Sequence, residues 1–326
     1  MKLAAITRAM HTRGFSLGVA ACVLVAACVY FYTGNTLLIA GDTGLGLPSA
    51  NLWLPFGDWD FWAAMAGTAL TTVLMMLLNK IYNVFRAMTS LFIGLFAIMQ
   101  LATPGLMTQF YSGTVLAIVV PLCVMLLFSA YRDKGATRQV FLIFLLLSLF
   151  TATQYAYLVY IPVMLIGCAQ MGIFTTKSLA AAFMGLLTPW IILIGFGLVD
   201  PLAIELPHPE GVFPFLDYDS ATIFLAAIAF TGFVTLICYI LNVLRTIAYN
   251  ARARAVNGVF TMLLIFTVAA MALDRDNVFT YVPMLNFCAA METTHYFSTH
   301  RADKSFIAII LIIAVYIALF LCQTVI

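Results

Sequence analysis

About eleven apolar stretches follow one another along this chain of 326 residues, separated by short polar segments. Stretches of roughly this length cross the hydrocarbon core of a bilayer as helices. The pattern therefore predicts an all-α integral membrane protein, a polytopic bundle of about eleven transmembrane helices that forms a single domain over residues 1–326. The predicted spans cover residues 15–32, 61–80, 87–103, 113–131, 138–151, 154–171, 178–199, 221–244, 256–272, 278–292 and 305–322.

The composition agrees with this architecture, because 64% of the residues are hydrophobic and only 9% are charged. Such a chain has too little polar surface to cover a water-facing globule, so membrane lipids are its first predicted partners. The composition excludes a cytosolic enzyme, a secreted disulfide scaffold and a nucleic-acid-binding protein. All seven cysteines lie inside apolar runs. We therefore predict neither a disulfide nor a metal-thiolate site, and no motif indicates a particular cofactor.

Two apolar regions, residues 138–171 and 256–292, are each compatible with one bent helix or with two short ones. Basic residues flank both ends of each region. Because basic loops stay on the cytoplasmic side, each region must return to the side from which it started. We therefore expect a pair of helices in each.

The charges also predict an orientation. If the amino terminus is cytoplasmic, every Lys and Arg except Arg275 falls on an inner loop, while most carboxylates fall outside. We expect a multi-pass protein of the bacterial inner (cytoplasmic) membrane, with its carboxyl terminus outside. The longest outer loops are then residues 33–60 and 200–220.

The first outer loop carries Asp58 and Asp60 among Trp53, Trp59 and Trp62. One interpretation is an aromatic belt that anchors the second span at the headgroup level, with both aspartates in water. The other is a pair of carboxylates at the membrane surface for acid-base chemistry or metal binding.

The second outer loop carries Glu205, His208 and Glu210 among four prolines, which stiffen its backbone. This loop could cover a site, and His208 could bind metal or move protons, although a single exposed histidine is more often simply solvated. A third outer element is the turn 274–277, which contains Arg275. Arg275 is either neutralised by its neighbours or holds a lipid phosphate or diphosphate with two hydrogen bonds.

Ionisable groups are nearly absent from the apolar stretches, which argues against coupling to protons or sodium. The amide side chains there either form hydrogen bonds between helices or line a substrate path. They are Asn79, Gln100, Gln154, Gln170, Asn242 and Asn286. His295 and His300 are five residues apart, a poor spacing for one helical face. Residues 292–304 are therefore expected to form a loop that faces lipid headgroups.

This layout resembles that of the GT-C-type glycosyltransferases and lipid-linked glycan polymerases, and that of other bacterial polytopic inner-membrane families. The resemblance rests on topology and on the first-loop residues Asp58, Trp59 and Asp60. It implies that Asp58 or Asp60 acts as a base or metal ligand, and that the sugar donor is a polyprenyl phosphate-linked substrate.

The leading hypothesis is an inner-membrane protein that handles a lipid-linked saccharide or isoprenoid phosphate at the outer face, as a glycosyltransferase. Its catalytic residues would be Asp58 and Asp60, and its substrate would be bound by Arg275, Glu205, His208 and Glu210, all in one outer cavity. Two alternatives stay open: a lipid flippase or carrier without ion coupling, and a structural membrane subunit of an envelope complex with a membrane-protein partner.

Overall fold

The computed structural model describes residues 13–33, 44–55, 57–84, 89–202, 204, 221–246, 251–299 and 303–325. This part of the chain is helical and contains no strand. Two short 3-10 segments cover Ala50–Leu52 and Tyr155–Val159. The α-helices are α1 (Arg13–Tyr32), α2 (Asp58–Tyr82), α3 (Thr89–Leu101), α4 (Pro104–Met107), α5 (Ser112–Ser129), α6 (Thr137–Thr151), α7 (Tyr160–Gln170), α8 (Thr176–Gly195), α9 (Ala221–Thr246), α10 (Ala251–Leu273), α11 (Val278–Thr299) and α12 (Asp303–Val325).

Seven of the described helices are long and apolar enough to cross a membrane, which confirms the prediction of an all-helical protein of multi-pass type. They are α1, α2, α5, α8, α9, α10 and α12. Shorter apolar helices cover Ser90–Leu101, Thr137–Thr151 and Tyr155–Gln170. The count of eleven crossings and the orientation of the termini stay predictions.

The bundle has a buried centre and a lipid-compatible periphery. Of the most apolar 18 residues of α5, 72% are buried inside the protein. In α1 and in α12 the corresponding share is 17%. Helix α11 is also central, since it packs against α3, α5, α9 and α10. The outer helices expose large apolar side chains such as Leu17, Ile191 and Leu311. Because these side chains would be costly in water, the outer faces suit a hydrocarbon environment.

Both predicted helix pairs are confirmed. Residues 152–154 and the 3-10 segment Tyr155–Val159 separate α6 from α7, and the turn 274–277 separates α10 from α11. A further break divides α3 from α4, where Pro104 begins the new helix because it cannot continue the old one. The carbonyl of Ala102 at this break accepts a hydrogen bond of 2.9 Å from Gln323 Nε2 in α12. A side chain from a distant helix therefore satisfies a carbonyl that the break leaves open.

The predicted loop over residues 292–304 is wrong as far as Thr299, because α11 continues to that residue and buries both Glu292 and His295. Asn242 in α9 offsets the cost of burying the Glu292 carboxyl group. Its Nδ2 atom donates to Glu292 Oε2 at 2.7 Å and to the Glu292 carbonyl at 2.9 Å. A carboxyl group in the interior requires such partners. His300 lies outside the described residues.

Two further hydrogen bonds between amides connect distant parts of the chain. The first joins two helices, as one of the sequence interpretations proposed, and the second joins the α6–α7 connection to the α10–α11 turn. Asn286 Nδ2 in α11 donates to Gln100 Oε1 in α3 at 3.1 Å. Gln154 Nε2 donates to Asn277 Oδ1 at 2.5 Å. Hydrogen bonds of this kind hold helices together where no water competes for the polar groups.

Candidate functional site

The two aspartates of the first predicted outer loop have different environments. Helix α2 begins at Asp58, so Asp58 and Asp60 are two positions apart on a helix and do not face each other. Asp58 is exposed, whereas Asp60 is 2% exposed. The expectation that both lie in water is therefore wrong for Asp60, and α2 does not present them as one surface pair.

Asp60 connects α2 to the start of α5. Its Oδ1 atom accepts a hydrogen bond of 3.0 Å from the backbone N–H of Phe110. Its position in the first turn of α2 also suits a carboxylate, because the amino-terminal end of a helix carries partial positive charge. Asp60 thus has a structural role, and Asp58 is the one with its carboxylate open to a ligand.

The aromatic side chains around Asp58 fit the belt interpretation. Trp59 and Trp62 in the first turns of α2 are exposed, and so is Trp53 just before it. The Trp53 Nε1–H donates to the Pro48 carbonyl at 3.0 Å. Exposed indoles at one end of a spanning helix are typical of the headgroup region of a membrane.

The segment before α2 folds over the ends of α5 and α6. The side-chain oxygen of Asn51 accepts hydrogen bonds from the Ser112 N–H at 2.9 Å and from the Ser112 hydroxyl at 3.1 Å. The N–H groups of Gly46 and Leu47 donate to the Ala152 carbonyl at 3.2 and 2.9 Å. These contacts place the described part of the first predicted loop against the start of α5, which follows Phe110, and against the end of α6.

The turn 274–277 contains the densest polar network at these helix ends. Asp274 Oδ1 accepts from the Tyr155 hydroxyl at 2.9 Å and from Asn277 Nδ2 at 3.0 Å. Asp274 Oδ2 accepts from the Tyr281 hydroxyl at 2.8 Å, and Asn277 Nδ2 also donates to the Tyr155 hydroxyl. The donors fix the Asp274 carboxylate in place, so it serves the structure of the turn. Arg275 is the exposed residue of this turn.

Three hydrogen bonds and the short backbone segments between them connect the Asp60 region with the turn. Phe110, which donates to Asp60, lies two residues before Ser112. The Ser112 carbonyl accepts from the Tyr157 hydroxyl at 3.3 Å, and Tyr157 follows Tyr155 in the same 3-10 segment. We call this end of the bundle, with Asp58, Asp60 and residues 274–277, the carboxylate end.

A small polar cavity lies inside the bundle beside the α3–α4 break. It has a volume of about 10 Å³, room for about one water molecule. The Tyr111 hydroxyl is buried here and has no hydrogen-bond partner among the described residues. The lining comprises Thr68, Thr71, Gln100, Leu106, Met107, Tyr111, Thr114, Ala117 and Pro283.

The remaining predicted site residues, Glu205, His208 and Glu210, lie outside the described residues. Their convergence with Asp58 and Arg275 stays a prediction. Across the part of the chain that the structure describes, no three His, Cys, Asp or Glu side chains are grouped closely enough to hold a metal ion.

Sequence reasoning missed several residues of the carboxylate end. Tyr281 lies in the first turn of α11, only seven positions after Asp274, so this contact is local in the sequence. Tyr155 precedes Asp274 by 119 positions, and Asn51 precedes Ser112 by 61. No local pattern indicates such distant contacts.

No protein-family model matches this chain, and no curated protein or solved structure is significantly similar to it. Its class therefore follows from its own architecture, an all-helical protein with seven helices long enough to span a membrane.

Proposed function

We propose that this protein binds a lipid-linked saccharide or isoprenoid phosphate at its carboxylate end and acts on it as a glycosyltransferase. One observation carries the proposal: three hydrogen bonds, together with the backbone segments 110–112 and 155–157, join the helix that carries Asp58 to the turn that carries Arg275. Two exposed groups of opposite charge are thereby held at one end of the bundle.

The two groups have complementary chemistry. The Arg275 guanidinium holds a phosphate or diphosphate through two parallel hydrogen bonds. Asp58 takes the proton from an acceptor hydroxyl while that oxygen attacks the anomeric carbon, and the polyprenyl phosphate leaves with the bonding electron pair. Asp60 is unsuited to this step, because its carboxylate is buried and bonded to Phe110.

Exchange of each aspartate for asparagine tests the proposal. Asp58→Asn keeps the shape but removes the base, so transfer from a polyprenyl phosphate-linked sugar in proteoliposomes should fall by at least about a hundredfold. Asp60→Asn keeps an oxygen that can accept from Phe110 and should retain most of the activity. Equal activity of wild type and Asp58→Asn, at equal membrane abundance, would remove the transferase proposal.

Two further observations support the alternative functions. The polar cavity beside the interrupted helix α3–α4 suits a carrier without ion coupling, because broken helices mark binding sites in many transporters. The carboxylates of Asp60 and Asp274 are both bonded within the protein, which suits a structural subunit of an envelope complex with a membrane-protein partner. Neither function needs Asp58 as a base, so full activity of Asp58→Asn would favour them.

The proposed setting is the bacterial inner membrane, with eleven crossings, a cytoplasmic amino terminus and the carboxylate end outside. Exposed basic residues at the opposite helix ends support this orientation, among them Lys80, Arg132, Lys177 and Arg252. Single cysteines at Lys134 and Leu202 test it, in a background that lacks the exposed Cys22 and Cys322. An impermeant maleimide should label the Leu202 position from the periplasm and the Lys134 position only after lysis. The reverse pattern would contradict the orientation.

A further inference from the structure

Two arginines contact one tyrosine ring at the opposite end of the bundle. The guanidinium carbon of Arg132 lies 5.5 Å from the centroid of the Tyr131 ring, and that of Arg252 lies 5.7 Å from the same centroid. Arg252 is in the first turn of α10, and Asp274 directly follows its last turn. The 23 residues of α10 rise about 34 Å, so this cluster is about one bilayer thickness from the carboxylate end. We call Tyr131, Arg132 and Arg252 the arginine cluster.

The backbone of Arg132 is held in an unusual conformation. Its φ angle is +59°, a region that residues other than glycine rarely adopt. Its N–H donates to the Met171 carbonyl at 3.0 Å, which fixes the loop after α5 against the end of α7. Sparsely populated backbone conformations often occur where a side chain must be presented for binding. The backbone conformation and this hydrogen bond thus position Arg132 beside Tyr131.

The positive charge of the arginine cluster is not balanced within the described part of the chain, where neither Arg132 nor Arg252 forms an ion pair. The neighbouring Asp133 carboxylate forms a hydrogen bond within its own loop, since its Oδ1 accepts from the Gly135 N–H at 2.8 Å. Helix α10 has no acidic residue in its first turn and carries Arg252 there, against the preference of the helix dipole. Within the described part of the chain, these two exposed cations are therefore open to an anionic ligand.

We propose that the arginine cluster binds the phosphodiester headgroup of an anionic membrane lipid. The guanidinium groups of Arg132 and Arg252 supply charge-assisted hydrogen bonds to the phosphate oxygens, and the Tyr131 ring orients both. A lipid fits better than a free anion, because the cluster lies at the end of the apolar helix α5 and because Arg132 is bonded to Met171, three residues before the exposed Phe174. Basic pockets at helix ends bind anionic headgroups in this way.

Native mass spectrometry of the full-length protein tests this site. The protein is released from micelles that contain equal amounts of phosphatidylcholine and phosphatidylglycerol, and the bound lipids are counted. Wild type should retain phosphatidylglycerol preferentially, and Arg132→Gln and Arg252→Gln should each lower that preference by about tenfold. Tyr131→Leu should also lower it, whereas Tyr131→Phe should keep it, because phenylalanine retains the ring face.

The matched controls are Lys134→Gln and Arg254→Gln, which remove equal charge from exposed positions next to the cluster. They should change the preference by less than about twofold. A loss in the controls as large as in Arg132→Gln would show general attraction to positive charge and overturn the proposal. Displacement of the lipid by excess inorganic phosphate would assign the cluster to a free anion and would likewise overturn it. Because Tyr131, Arg132 and Arg252 are not part of the proposed transferase site, failure of this proposal leaves the proposed transferase untouched.

Discussion

The carboxylate of Asp60 accepts a 3.0 Å hydrogen bond from the backbone N–H of Phe110, while Asp58, two residues earlier in the same helix, stays exposed. The bond ties α2 to the segment that leads into α5. Two residues that look equivalent in the sequence therefore differ in the structure. The Asp60 carboxylate stabilises the fold, and the Asp58 carboxylate is open to a ligand.

Removal of the Asp60 acceptor should destabilise the protein. Asp60→Ala leaves the Phe110 N–H without its partner, which should lower the free energy of unfolding by about 1–3 kcal/mol. Asp60→Asn keeps an acceptor oxygen and should cost less. Asp58→Ala is the control, and its exposed position predicts a change within about 0.5 kcal/mol. Thermal unfolding in detergent measures all three, and equal stability of Asp60→Ala and Asp58→Ala would contradict the structural role of Asp60.

The hydroxyls of Tyr155 and Tyr281 should be energetically coupled to Asp274. Tyr281→Phe should cost about 0.5–1.5 kcal/mol in the wild type but close to nothing in Asp274→Ala, because the acceptor is already absent. Tyr316→Phe serves as the control, since its hydroxyl bonds to Thr231 instead, and its cost should add to that of Asp274→Ala. Additive costs for Tyr281→Phe and Asp274→Ala in the double-mutant cycle would show that the bond contributes little.

Tyr111→Phe should keep or raise the stability, by up to about 1 kcal/mol, because the buried hydroxyl has no partner among the described residues. Tyr160→Phe is the matched control, because its buried hydroxyl pairs with Thr267 at 3.1 Å, and it should lower the stability. A loss for Tyr111→Phe equal to that for Tyr160→Phe would show that a water or ligand in the cavity binds the Tyr111 hydroxyl.

The sequence was sufficient for the positions of most helices, because their apolar runs are long and their ends are marked by charge or proline. The boundary between α10 and α11 is an example, since Asp274 and Asn277 are typical turn residues. The same logic failed at Glu292, where a charged residue predicted the end of the helix. Asn242 compensates for that charge from a position 50 residues away, and no local pattern reports such a contact.

The candidate site was less predictable than the fold. The spacing of Asp58 and Asp60 already implied different faces once a helix began at Asp58, but the start of the helix was predicted at residue 61. The partners of Asp60 and Asp274 come from elements that only the tertiary fold brings together. Arg275 was recognisable because it is the one cation that departs from the predicted alternation of basic loops.

Asp58 and Arg275 should be close enough to share one ligand. Spin labels at these two positions should give a distance distribution centred below about 20 Å, because both groups must reach the same phosphosugar. A pair at Asp58 and Lys80, at opposite ends of α2, is the control and should be separated by about 33 Å. A centre well above 20 Å for the first pair would leave no common site.

Identification of the lipid that Arg275 retains tests the proposed function most directly. The full-length protein is purified in mild detergent, and its bound lipids are extracted and identified by mass spectrometry, for wild type, Arg275→Lys and Arg275→Ala. Wild type should carry a polyprenyl phosphate or its sugar-linked form, while Arg275→Lys should carry at least about tenfold less, because lysine keeps the charge but loses the planar two-point grip. Equal amounts of this lipid in wild type and Arg275→Ala, or its absence from wild type, would contradict the proposal.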